Sequence, residues 1–126
     1  MFQLACGVDL IEVTRFEKFY QRNNDVLCET IFTAQEYATT EHKAAPLLSL
    51  AARFAAKEAV LKLFAIETAL YQLDFIDIEV LNDPYGKPYV VINEKLQALM
   101  QQYNFHSLAL SLSHTAQFAV AFAVAG

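Results

Sequence analysis

The sequence predicts an α+β fold in which a largely antiparallel sheet packs against one long central helix. Three observations predict it. Apolar stretches with strand chemistry lie toward both ends of the chain, "QLACGVDLIEV" at 3–13 and "SLALSLSHTAQFAVAFAV" at 107–124. The middle holds the longest helical stretch, rich in Ala and Leu, from about Leu47 to Tyr71. Turn chemistry, notably "NDPYGKP" at 82–88, joins consecutive strands, so hairpins dominate over crossovers. A length of 126 residues fits a single domain spanning 1–126.

The elements follow in order. Residues 3–13 read as a mostly buried strand interrupted by one acid, Asp9. "TRFEKFYQRN" (14–23) reads as a helix that Thr14 can cap, and "NND" then breaks the pattern. "VLCETIFT" fits no single pattern. Thr33 followed by Glu36 is a capping box, so a new helix is expected over 34–42. "HKAAPLLS" is a linker centred on Pro46, and the long helix follows. "DFIDIEVL" (74–81) reads as a strand, and "YVVI" (89–92) is its hairpin partner. "NEKLQALMQQY" (93–103) is an amphipathic helix capped by Asn93. Two strands joined by a turn at Thr115–Ala116 complete the order β–α–α–α–β–β–α–β–β.

Composition narrows the function. The chain is 56% hydrophobic, with ten Phe and six Tyr, which is generous for a small domain and points to an additional buried surface such as a subunit interface. A net charge of −5 argues against a general nucleic-acid binder. Cys6 and Cys28 are too few for a disulfide framework or a zinc site and read as reduced thiols. "MFQLACG" lacks a basic leader, and "AQFAVAFAVAG" is too short to span a bilayer, so a soluble cytoplasmic protein is expected.

The chemistry concentrates in "RFAAKEAVLK", residues 53–62. At the helical angle Glu58 and Lys62 share one face, while Arg53 and Lys57 form a second stack. Everything else there is Ala, Val, Leu or Phe, so the helix is expected to be largely buried. A plain i,i+4 Glu–Lys pair would contribute about 0.2–0.5 kcal/mol. In apolar surroundings two charges cost more than such a pair returns, which favours a site. Glu58 would serve as a hard oxygen ligand for Mg²⁺, and Lys62 as a point charge for phosphate. Asp9 raises the same question from a strand: it either faces solvent at an edge or shares one Mg²⁺ with Glu58. Gly7, two residues earlier, would permit close backbone approach. His114 ends a strand on the face of Leu108, Leu110 and Leu112; it is either half-buried there or a phosphate contact or acid/base group. His42 and His106 sit in polar, loop-like contexts and receive no role.

"GVDLIEVTRFEK", "ARFAAKEAVLK", "DIEVLNDPYGKPYV" and "LSLSHTAQFAVAFAV" together resemble the holo-[acyl-carrier-protein] synthases, the small 4′-phosphopantetheinyl transferases, in order and spacing over most of the chain. The resemblance implies transfer of 4′-phosphopantetheine from coenzyme A to a serine of an apo acyl carrier protein. It also implies release of adenosine 3′,5′-bisphosphate, a requirement for Mg²⁺, and commonly a homotrimer with sites at subunit interfaces. It places the metal on Asp9 and Glu58, brings Lys62 to the pyrophosphate, and puts Arg53 and His114 among the coenzyme A contacts. A base must take the serine proton, and Glu58 and a metal-bound water are the two candidates. Arg15, Lys18 and Arg22 recur at i, i+3 and i+7 on one helix face, a basic stripe able to dock an acidic carrier protein or an ordinary solvated face beside Glu12 and Glu17.

Two features depart from the family. After Lys62 the sequence runs "LFAIETALYQ" without the usual glycine-rich turn, so the helix is expected to run on, and residues 65–67 receive no binding role. The chain is also acidic where family members are expected to be more basic. A coenzyme A-binding or structural protein of this fold with weak or lost transfer is therefore the alternative, with a Mg²⁺-dependent pyrophosphate hydrolase third.

Overall fold

The computed structural model describes residues 3–65 and 72–126. The described elements are β1 (Ala5–Glu12), α1 (Val13–Thr30), α2 (Ala34–Thr40), α3 (Pro46–Leu61), a 3₁₀ turn (Phe75–Asp77), β2 (Val80–Asn82), β3 (Pro88–Val90), α4 (Glu94–Gln102), β4 (Leu108–His114) and β5 (Phe118–Ala125). The main sheet is antiparallel in the order β1-β5-β4, and β2 and β3 form a separate antiparallel hairpin. The α+β class and the antiparallel sheet agree with expectation.

Small residues set the geometry that matters. The face of β5 turned toward α3 carries Ala119, Ala121, Ala123 and Ala125, all buried, and α3 answers with buried Ala52, Ala55, Ala56 and Ala59. A Cβ on Gly7 would lie 2.1 Å from the carbonyl oxygen of Ala59 and 2.9 Å from Cβ of Lys62, so β1 touches the helix backbone there. Only glycine tolerates that approach. A second core joins α1 and α3 through Phe16, Ile31, Phe32, Leu50 and Ala51, with Tyr37 of α2 packed against it. Within it the rings of Phe16 and Phe32 meet edge to face at 6.3 Å.

Of the caps read from sequence, Thr33 and Asn93 are present, whereas Thr14 lies inside α1, which already begins at Val13. Thr33 Oγ1 accepts from the Glu36 amide at 3.2 Å, and the Glu36 carboxylate accepts from the Thr33 amide at 2.9 Å. Asn93 Oδ1 accepts from the Leu96 amide at 2.9 Å. Thr115 closes the β4–β5 turn, its hydroxyl accepting from the amides of Gln117 and Phe118.

Three expectations need correction. The first helix does not stop at 23: it kinks at Asn23, with φ −126° and ψ 23°, and continues to Thr30. Residues 74–81 are not one strand. The side chains of Asp74 and Asp77 close a capping box that winds 75–77 into a 3₁₀ turn, and only Val80–Asn82 enters a sheet. Nor does α3 run on past Lys62. It ends at Leu61, and the amides of Leu63 and Phe64 donate to Val60 and Leu61 in tight terminal turns. Phe64 anchors this exit by packing on Tyr103 and Phe105 at 5.2 and 5.8 Å, and the Ala65 amide donates to the Tyr103 hydroxyl at 3.0 Å. Aromatic packing thus ends the helix where a glycine was expected to be needed. The part of the predicted helix at 66–71 lies outside the described residues.

Candidate active site

The close contact at Gly7 brings β1 and the end of α3 together, and with them Asp9, Glu58 and Lys62. Lys62 is the C-cap residue of α3. Its ammonium donates to the Val8 carbonyl at 2.8 Å and to Asp9 Oδ1 at 3.1 Å. The lysine therefore pairs across to the strand, not along the helix to Glu58 as a simple i,i+4 pair would. The Asp9 side chain is only 11% exposed, and its Oδ2 is buried with no hydrogen-bond partner. Burial pushes the Glu58 carboxyl up to about 7, helped by the neighbouring Asp9 carboxylate, against the opposing pull of Lys62. Two carboxylates crowded in this way fit a hard divalent cation, since an unpartnered buried oxygen and a desolvated carboxyl both gain from one. Among the described residues no cluster of three or more acidic, His or Cys side chains offers a larger donor set. A two-carboxylate site suits Mg²⁺, which takes one or two protein carboxylates and completes its shell with water and phosphate.

An open cleft of about 600 Å³ adjoins the pair and is lined by Asp9, Glu58, Arg15, Phe19, Phe54 and Phe118 among others. Arg15, Lys18 and Arg22 are all exposed on α1, and Arg15 borders the cleft. One end of the basic stripe, Arg15, therefore borders the cleft that holds the carboxylate pair.

Arg53 and His114 are not at that cleft. Arg53 is 3% exposed, and its guanidinium donates to Ser49 Oγ at 2.7 Å, to the Val80 carbonyl at 3.2 Å and to Asn82 Oδ1. Burial lowers its pKa, opposed by the charge of Glu36. These bonds make Arg53 a brace between α3 and β2. His114 is exposed at the end of β4, opposite Ala119, whereas Asp9 lies opposite Ala121. With strands about 4.8 Å apart and two strand steps between them, His114 stands on the order of 10 Å from Asp9.

One contributor was not assigned a role from the sequence. Lys57 is fully buried and donates to Glu36 Oε1 at 2.8 Å and to the carbonyls of Ile78 and Phe75 at 2.6 and 3.1 Å. Glu36 Oε2 in turn accepts from the Val80 amide at 3.0 Å. Burial lowers the Lys57 pKa, and Glu36 acts against that. The clamp ties α2, the 3₁₀ turn and β2 to the residue beside Glu58. A lysine on a helix expected to be largely buried was the available signal, since it demands a buried anion.

Residues 5–123 match the 4′-phosphopantetheinyl transferase superfamily. The chain belongs to this superfamily. Among curated members it is 42% identical over 119 residues to a holo-[acyl-carrier-protein] synthase of Geobacter sp. (strain M21), covering 94% of each chain. It is 38% identical over 122 residues to that of Protochlamydia amoebophila, covering 96% of each. Solved members of the superfamily share the fold. The holo-[acyl-carrier-protein] synthase of Neisseria meningitidis superposes with a TM-score of 0.83 at 27% identity, covering 97% of both chains. That of Helicobacter pylori, in complex with coenzyme A, superposes with a TM-score of 0.78 at 28% identity, covering 96% of this chain and 99% of the other.

Proposed function

We propose that residues 1–126 form one transferase domain, a holo-[acyl-carrier-protein] synthase. It moves 4′-phosphopantetheine from coenzyme A to a serine hydroxyl of an apo acyl carrier protein. The observation that carries this reading is the meeting of Asp9 and Glu58 at one cleft, with Lys62 bonded to Asp9, on a chain whose superfamily relatives are named for that reaction. Asp9 and Glu58 would hold Mg²⁺, whose chemistry is to neutralise pyrophosphate charge and hold its oxygens for attack. Glu58 or a water beside it would take the serine proton. The serine oxygen forms a bond to the β-phosphorus as the bond to the bridging oxygen breaks. Lys62, half exposed at the helix end, neutralises or protonates the departing adenosine 3′,5′-bisphosphate. Arg15, which borders the cleft, with Lys18 and Arg22 further along α1, would dock an acidic carrier protein. His114, at the strand ends beyond the cleft, would meet the distal part of an elongated ligand such as coenzyme A.

We further propose a homotrimer. The sheet face opposite α3 leaves Val8, Leu10, Phe118 and Phe122 exposed, a contiguous apolar patch that a subunit interface would cover. Leu10 and Phe118 also line the cleft, so such an interface would border the site. A cytoplasmic location is consistent with unpaired Cys6 and with the finding that no helix among the described residues is long and apolar enough to cross a membrane.

The test is the intact mass of a panel of apo carrier proteins after incubation with the chain, coenzyme A and Mg²⁺, with an EDTA control. A metal-dependent gain of one phosphopantetheine establishes the transferase and names its partner. Coenzyme A binding without gain on any member supports the binding-protein alternative. Coenzyme A breakdown without a carrier protein supports a hydrolase. Sedimentation of the wild type and of Leu10→Glu tests the trimer, which the charge should dissociate.

A further inference from the structure

We infer that Lys62 is a resident counter-ion for Asp9 that must be drawn away before a divalent cation takes full hold there, so that metal loading is coupled to the arrival of a pyrophosphate ligand. This rests on the proposed metal role of Asp9 and Glu58 and goes beyond it. The ammonium sits 3.1 Å from Asp9 Oδ1 and is fixed from behind by the Val8 carbonyl at 2.8 Å, while Oδ2 of the same carboxylate is buried and unpartnered. Asp9 is nearly buried, so it cannot simply rotate toward water to escape the lysine. Lys62 is half exposed on a long flexible stem and can move. One carboxylate therefore faces two cations with unequal freedom. In the free chain the lysine occupies one oxygen and repels a metal at the other. A pyrophosphate entering the cleft offers the ammonium a more highly charged partner. As Lys62 turns to it, Asp9 is released to the metal. The two ligands then promote each other's binding, and the coupling is reciprocal.

The experiment uses Mn²⁺ as a spectroscopic stand-in for Mg²⁺. Its affinity for the full chain is measured by electron paramagnetic resonance at fixed pH and ionic strength, with and without saturating coenzyme A. Four forms are compared: wild type, Lys62→Met, Lys62→Arg and Arg15→Met. Without coenzyme A, Lys62→Met should bind Mn²⁺ about 10-fold more tightly than wild type, within the usual range of coupling between sites. Lys62→Arg should stay near wild type. Arg15→Met, which removes a cleft cation that does not touch Asp9, should shift affinity by less than about 3-fold, the size of a screened charge effect. With coenzyme A bound, the advantage of Lys62→Met should vanish, because the pyrophosphate has already drawn the lysine off. Unchanged or weaker Mn²⁺ binding by Lys62→Met in the free chain would overturn the inference. So would equal tightening with and without coenzyme A, since that is a bulk field and no displacement. Should Lys62→Met fail to fold, Lys62→Gln carries the same test. Asp9→Asn separates the two levels: if it leaves Mn²⁺ binding intact, the metal assignment itself fails, whereas loss of binding in Asp9→Asn with no effect of Lys62→Met overturns the counter-ion alone.

Discussion

Gly7→Ala is the most direct probe of how the site is held. The new methyl would lie 2.1 Å from the Ala59 carbonyl oxygen and 2.9 Å from Cβ of Lys62. An ordinary contact needs well over 3 Å, and the obstacle is helix backbone that no rotamer can clear. Strand and helix must therefore part by about 1 Å, a shift whose overpacking cost is typically about 1–3 kcal/mol. The upper half of that range is expected here. The same displacement carries Asp9 away from Glu58 and stretches the 3.1 Å contact to Lys62. Misplacing reacting groups by 1 Å can cost on the order of 100-fold in rate. Urea denaturation, at matched protein concentration because any oligomer makes stability concentration-dependent, reads the first effect. Carrier-protein mass gain against time reads the second. A stability within 0.5 kcal/mol of wild type would refute the contact, on the usual scale for surface changes. Lowered stability with an unaltered transfer rate would refute the link from that contact to the site.

Three further outcomes are expected. Glu58→Gln should stabilise the metal-free chain by about 1–2 kcal/mol at pH 8, the full shift being discounted because the group is partly solvated. In the wild type the unfolded carboxyl ionises near 4.5 and the folded one at about 7, so stability falls as pH rises through that window and the penalty is absent at pH 4. Urea curves in EDTA at the two pH values check this, and a destabilised variant at pH 8 would contradict it. Lys57→Met leaves Glu36 buried without its cation and should cost about 3–5 kcal/mol, measured by the same unfolding, with a loss below 1 kcal/mol counting against the clamp. Tyr103→Phe removes the acceptor at the exit of α3 and should cost about 1 kcal/mol, readable as earlier amide exchange at Ala65.

Much of this was legible in the chain because its signals are local. Thr33 and Glu36 announce a cap, Asn93 another, and the alternation in 107–124 a pair of strands. Glu58 and Lys62 stood out because a charge on an apolar helix needs a partner, and Gly7 because a strand interior rarely tolerates glycine. What stayed hidden depended on distant packing. The end of α3 is set by Phe64 against Tyr103 and Phe105, some forty residues away in sequence. The brace that Arg53 makes to Val80 and Asn82 was hidden, because those acceptors lie on a strand whose register the sequence does not reveal. The 74–81 segment alternates like a strand, yet Asp74 and Asp77 satisfy each other's backbone locally and turn it instead. Lys57 chose its anion across a gap of 21 residues, through a glutamate already occupied as a cap.

The pairing of β1 with β5 also sets a schedule. Asp9 is made early, but its strand hydrogen-bonds, among the described residues, only to a strand roughly 110 residues later. Until that late segment leaves the ribosome, the nascent chain carries Glu58 and Lys62 on a helix with no sheet to dock on and no carboxylate opposite them. Closing so large a loop is slow and late. The meeting of Asp9 with Glu58 and Lys62 thus waits on the synthesis of β5.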